Sequence, residues 1–177
     1  DEAEEAYTSA GTFANAVNGR GLGDPRGLME APLEVFSRLD GPVSGVTCRL
    51  DEPGAGGFLR ALETTAMTKS YKMLVLLAML REGRFPGSMP VDDLTEAVGQ
   101  LAARSAVLQA DLGVSLSDRE ALKQKLIENP IRAWTGGKGT GGAAYFVYRN
   151  DEFKTTFKVT GQGEDAFAQL VRELADW

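Results

Sequence analysis

Tyr145-Phe146-Val147-Tyr148-Arg149-Asn150-Asp151-Glu152-Phe153-Lys154-Thr155-Thr156-Phe157-Lys158-Val159 decides the fold class of this chain. Two runs rich in aromatic and β-branched residues, Tyr145 to Tyr148 and Phe153 to Val159, flank the turn-forming pair Asn150-Asp151, the pattern of a β-hairpin. Its polar residues include Arg149, Lys154 and Lys158. Elsewhere the chain reads mainly as helix, with Val43 to Leu50 able to form a further strand. The expected class is therefore α+β, mostly helical with a small β-sheet or hairpin.

Moving toward the N-terminus, Ser117-Asp118-Arg119-Glu120 matches a capping box, and Leu122, Leu126 and Ile127 supply the buried face of the helix it starts. Pro130 is expected to end that helix. Val91, Leu94, Val98 and Leu101 predict a helix after Phe85-Pro86-Gly87, with Asp92 and Asp93 in the first turn, where the helix dipole favours acids. Met73-Leu74-Val75-Leu76-Leu77-Ala78-Met79-Leu80 is apolar on every side, so as a helix it is the buried centre, and it is far too short to span a bilayer. Phe58, Leu59, Leu62 and Met67 suggest a helix after a flexible joint at Gly54 to Gly57. Leu33, Phe36 and Leu39 mark a short helix after Pro32 that ends before Gly41-Pro42.

On the C-terminal side, Phe167, Leu170, Val171, Leu174 and Trp177 trace a closing amphipathic helix with i, i+3, i+4, i+7 spacing. Three helices, a basic hairpin and a final helix give a winged-helix-like order. Residues 1–27, with a weak helical pattern through Tyr7, Phe13 and Val17, read as an acidic lead-in, and residues 28–177 as a single α+β module. The acidic start without methionine reads as a piece cut from a longer protein.

Composition closes several classes of function. The chain has 177 residues, 43% of them hydrophobic, enough for a real core. It contains no histidine, which removes Ser-His-Asp and Cys-His nucleophile systems and His-ligated zinc. Its single cysteine, Cys48, excludes an internal disulfide and a Cys-cluster metal site, which fits a reducing, cytoplasmic setting. No cofactor and no membrane partner are expected.

The net charge of −6 is unevenly placed. Residues 1–66 hold five basic and eleven acidic side chains, whereas residues 67–177 hold fourteen of each. Between Asn129 and Lys158, five cations (Arg132, Lys138, Arg149, Lys154 and Lys158) face only Asp151 and Glu152, a locally positive strip. Thr68, Lys69, Ser70 and Lys72 stand at the N-terminal end of the apolar helix, where unpaired N–H groups make either a phosphate seat or simply a capped, solubilising end. Tyr71, Tyr145 and Tyr148 read as core, while Trp134 is the aromatic expected to be able to stack on a base.

Two motifs invite catalysis. Thr135 to Gly142 is a glycine loop carrying Lys138, but no glycine stands five positions before Gly137 and Gly139 replaces the Ser or Thr of a nucleotide-binding loop. Such a loop could order on a nucleic-acid backbone or remain an ordinary loop. Glu152-Phe153-Lys154 matches the acid-x-lysine half of a metal-dependent nuclease, which also needs an upstream acid that Tyr145 to Tyr148 does not offer. The chain is expected not to be an enzyme, the nuclease with Glu152 and Lys154 being an alternative.

Thr68-Lys69-Ser70-Tyr71-Lys72-Met73 with its apolar helix, the Pro130 to Trp134 segment and the closing Phe157 to Trp177 segment together resemble the C-terminal region of large bacterial DEAD/DEAH-type helicases linked to restriction and phage defence. The likeness spans about Phe58 to Trp177. The same order also resembles the DNA sulfur-binding domain of phosphorothioate-dependent restriction endonucleases, whose Tyr-Pro-x-x-Ala pocket would match Asn129-Pro130-Ile131-Arg132-Ala133, with Asn129 in the tyrosine's place. Both resemblances imply a DNA reader that works with the rest of its parent helicase or restriction protein, since neither Walker motif occurs here. The nucleic-acid-binding residues they imply, together with the charge pattern, are Lys69, Ser70, Tyr71, Lys72, Pro130, Arg132, Ala133, Trp134, Lys138, Arg149 and Lys154. The alternative is a protein-interaction module that docks a helicase core or nuclease partner through the acidic first third and the apolar helix.

Overall fold

A computed structural model describes residues 54–64, 71–136, 142–159 and 164–175. The expected helices at Tyr7 to Val17 and Leu33 to Leu39 and the strand at Val43 to Leu50 lie outside the described residues, as do the lead-in 1–27, Cys48, Thr68 and Trp177. In chain order the elements are α1 (Ala55–Thr64), α2 (Tyr71–Arg81), β1 (Ser88–Pro90), α3 (Val91–Ala102), α4 (Ala106–Leu112), α5 (Arg119–Leu126), a π-helical turn (Ile127–Ile131), α6 (Arg132–Trp134), β2 (Phe146–Arg149), β3 (Glu152–Thr155) and α7 (Glu164–Ala175). The fold is α+β, mostly helical with a three-stranded antiparallel sheet. The chain divides into two compact units, Thr65–Lys158 and a second made of Asp1–Thr64 with Val159–Trp177.

In the second unit α1 and α7 pack together. Ala55, Phe58, Leu59 and Leu62 bury one face of α1, and Phe167, Leu170, Val171 and Ala175 bury one face of α7. Phe58 and Phe167 meet with ring centroids 6.5 Å apart. Gly56 and Gly57, expected in a flexible joint, lie inside α1. Burial of the apolar stripe that follows outweighs the roughly 1 kcal/mol by which each glycine disfavours helix.

In the unit Thr65–Lys158, α2 is the buried centre that its all-apolar run predicts, with Met73, Leu74, Val75, Leu76, Ala78, Met79 and Leu80 out of solvent. It packs on α3, whose buried residues Val91, Leu94, Ala97 and Val98 follow the helical period. Helix α4 was not legible as a helix, because Leu112 is its one buried residue. Local signals define it instead: the Ser105 hydroxyl accepts the Leu108 N–H, and Gly113 closes it at φ 66°, where glycine carries no side-chain penalty.

The start of α5 corrects the expected capping box by one residue. Asp118, not Ser117, is the N-cap, its carboxylate accepting the Ala121 N–H at 3.0 Å, while Ser117 shares a hydroxyl hydrogen bond with Ser115. The end of α5 corrects the reading of Pro130. The chain stays helical past it by widening into the π turn, which keeps Pro130 in a helical path through to Trp134. A proline in an α-helix interior costs about 3 kcal/mol through its missing N–H and its ring clash. A π turn alters the hydrogen-bond spacing at that point, and burial of Pro130, Ile131 and Trp134 compensates.

The hairpin forms as the sequence predicts. Asn150 and Asp151 take φ values of 51° and 57°, the left-handed pair that matches the twist of a two-residue hairpin turn. Strand β3 sits between β1 and β2, with Met89 opposite Phe153 and Phe153 opposite Tyr148. Strand β1 is too short for its alternation to be read in advance. Phe146 and Phe153 stack at 4.5 Å on the inner face, Phe85 and Trp134 flank Phe146, and Phe157 meets Phe85 edge-on.

Candidate nucleic-acid interface

The expected contact residues fall into two groups. The first gathers where the N-terminus of α2 meets the π turn and α6. Tyr71 and Lys72 open α2 and are half-buried, and Lys125 of α5 places its Nζ 5.8 Å from the Tyr71 ring. The Lys72 Nζ lies 5.2 Å over the Trp134 ring, and the Trp134 indole N–H donates to the Lys72 carbonyl at 2.9 Å. Partial burial pushes the Lys72 ammonium below the ordinary lysine range. Arg132 is exposed and Ala133 half-buried on the adjoining turn.

Trp134 and Pro130 are corrected by this geometry. Trp134 is 0% exposed, with its N–H committed to Lys72 and its ring 5.9 Å from Phe146. A ring so enclosed has no free face for a base. Pro130 is likewise buried, so its side chain does not line a surface pocket. Both anchor the turn that carries Arg132. The sequence predicts a helix stop at Pro130 and an available ring at Trp134, whereas the chain continues through the π turn with both side chains buried.

The second group lies on the sheet. Alternation along β3 puts Phe153 and Thr155 inside and Glu152 and Lys154 outside, while Arg149 is exposed at the end of β2. Because Trp134 meets the inner face through Phe146, Lys154 points away from it. The two groups therefore do not converge on one pocket. Lys69, Ser70 and Lys138 lie outside the described residues.

A third constellation had no signal in the sequence. Lys123 of α5 places its Nζ 3.0 Å from Asp92 Oδ1 of α3 and 3.9 Å from Asp151 Oδ1 in the hairpin turn. The Tyr148 hydroxyl donates to Asp151 Oδ1 at 2.8 Å. The hydrogen bond to Asp92, reinforced by the charges of Asp151 and Glu120, raises the Lys123 pKa above the ordinary value. The hydrogen bond to Asp151 likewise raises Tyr148. These partners are too far apart in sequence for any local pattern to join them.

The division into units relocates the charge. Thr65–Lys158 carries thirteen lysines and arginines against ten acids, a net of +3, and the rest of the chain six against fifteen, a net of −9. Glu152 and Lys154 share the outer face, but the residues opposite them are Arg149 and Pro90, and Val147 and Ser88, so no second acid faces them across the ladder. Among the described residues no group of three or more Cys, Asp or Glu side chains is placed to hold a metal ion, and no helix is long and apolar enough to cross a membrane. Comparison with protein-family models, with curated proteins and with solved structures finds no match.

Proposed function

We propose that Thr65–Lys158 is a non-catalytic, winged-helix-like DNA-contacting module of a larger helicase or restriction and defence protein. The observation that carries this reading is the order of elements. A strand, β1, follows the first helix of the unit and pairs with the hairpin that comes after the last, giving a sheet in the order β1-β3-β2. The net charge of +3 supports it, since affinity for DNA rests largely on neutralised phosphates. In this reading Arg132, Arg149 and Lys154, all exposed, hold backbone phosphates. Tyr71, Lys72 and Ala133 border the first contact, and Pro130 and Trp134 support it from within.

Titration of the full chain against a fluorescent duplex at several salt concentrations tests the reading. Three phosphate contacts predict that log K falls with log salt at a slope of roughly −2.7. A parallel titration with a phosphorothioate duplex separates a grip on the plain backbone from reading of that modification, which would appear as tighter binding of the modified duplex. Absence of binding to both duplexes at low salt overturns the proposal.

A further inference from the structure

The β2–β3 turn is tied to two helices at once. The Asp151 carbonyl accepts the N–H of Val91, the first residue of α3, at 2.8 Å. The N-cap of α3 is Pro90, which supplies no side-chain cap, so the turn satisfies an N–H that the helix start would otherwise leave to solvent. The Asp151 carboxylate meanwhile takes the Tyr148 hydroxyl and faces Lys123. Lys123 in turn bonds Asp92, and Arg119 of α5 donates to the Asp92 carbonyl at 3.2 Å. The Lys123 side chain is only 17% exposed, while Asp92 and Asp151 are 58% and 65% exposed. The lysine is thus the shielded hub of a latch whose arms reach the solvent.

We infer that this latch positions the hairpin for DNA, so that the hairpin meets the backbone with Arg149 and Lys154 on its outer face and not with its turn. The inference rests on the DNA-contacting reading above. A turn that entered a groove would have to give up the Val91 hydrogen bond and the contacts to Lys123, and would bring Asp151 and Glu152 toward phosphates. Held down, the same turn fixes the strand that carries Arg149 against α3 and α5. Lys123 bonds Asp92 and lies 3.9 Å from Asp151, so its charge is matched by carboxylates of the protein itself. It is a positioning residue, as are Asp92 and Asp151.

The sign of the effect separates positioning from charge. Asp151→Gly and Asp92→Asn each remove a negative charge, which by electrostatics alone strengthens binding to DNA. Glycine suits the φ of 57° at position 151 and keeps the carbonyl that caps α3, so this variant retains the turn. If the latch positions the hairpin, both variants of the full chain, assayed well below their melting temperatures, bind a plain duplex about threefold to thirtyfold more weakly than the parent. Lys123→Met weakens binding in the same range with the parent's salt slope, and Lys123→Arg restores most of it, whereas Lys154→Ala loses roughly 0.9 of the slope. Unchanged or tighter binding by Asp151→Gly and Asp92→Asn overturns the inference alone. A slope reduced by about 0.9 in Lys123→Met also overturns it, by making Lys123 a phosphate ligand. No binding by the parent overturns the DNA reading and this inference with it.

Discussion

The unit Thr65–Lys158 and the rest of the chain differ in sign as well as in architecture. The first carries +3 and all the described strands, while the second carries −9 and, among the described residues, the helix pair α1 and α7. The whole-chain charge of −6 describes neither. A bulk acidity that argues against a nucleic-acid partner is the sum of a modestly basic unit and a strongly acidic one, and recognition acts through local fields. Net charge therefore bears on function only after it is assigned to units that fold.

The largest expected effect tests whether the basic unit is organised around a buried tryptophan. Trp134→Ala removes a side chain with no exposed surface, together with the indole hydrogen bond to the Lys72 carbonyl. Denaturant unfolding should show a loss of about 3–5 kcal/mol. A loss below about 1 kcal/mol would return Trp134 to the surface, where its role as a stacking platform would be open again.

Next comes the contrast in charge itself. The triple variant Arg132→Ala, Arg149→Ala and Lys154→Ala should flatten the salt slope by roughly 2.7 and weaken duplex binding by two to three orders of magnitude near 0.1 M salt. The paired change Arg60→Ala and Arg172→Ala, two exposed cations of the acidic unit, should leave the slope where it was. An equal effect from both sets would dissolve the distinction between the units. Neutralising Asp1, Glu2, Glu4 and Glu5 should act oppositely, strengthening binding a few-fold at low salt and not at all near 1 M, where charges are screened beyond about 3 Å.

A smaller effect tests the start of α5. Asp118→Ala should cost about 1 kcal/mol, because it removes the acceptor of the Ala121 N–H, and Ser117→Ala should stay within about 0.5 kcal/mol. The reverse order would restore Ser117 as the cap.

What could be read in advance follows from how local each signal is. The hairpin is legible because aromatic runs and Asn150-Asp151 lie within a few residues of one another, α2 because its apolar run from Met73 to Leu80 is unbroken, and α3 and α7 because their apolar residues recur with the helical period. Strand β1 has three residues and owes its existence to pairing with Lys154, Phe153 and Glu152, more than sixty positions away. In the sequence Pro130 carries its usual meaning, a helix stop. Only the burial of Ile131 and Trp134 explains why the chain continues through a π turn. The same reason applies at the site. Exposed cations such as Arg132, Arg149 and Lys154 could be nominated from charge, but Lys123 is joined to Asp92 and Asp151 by tertiary packing, and no spacing in the sequence announces it.

The smallest effects concern pH and turn on two lysines of opposite behaviour. Lys123 holds its proton more tightly in the folded state than the ordinary value of 10.5 would allow, chiefly through Asp92. Its contribution is complete below the unfolded value and is lost as pH rises through the folded one. Tyr148, kept protonated by its hydrogen bond to Asp151, loses its contribution in the same alkaline direction. Lys72 is depressed by burial, so the unfolded chain binds that proton more tightly, and stability rises as pH climbs through the folded value toward 10.5. Melting temperature should therefore gain slightly on the approach to about pH 10 from Lys72 and fall beyond it from Lys123 and Tyr148. Lys72→Met should remove the rise, whereas Lys123→Met and Tyr148→Phe should each blunt the fall. If Lys72→Met instead blunted the alkaline fall, the ammonium over Trp134 would be a stabilising cation and not a desolvated one, and Lys72 and Lys123 would titrate alike.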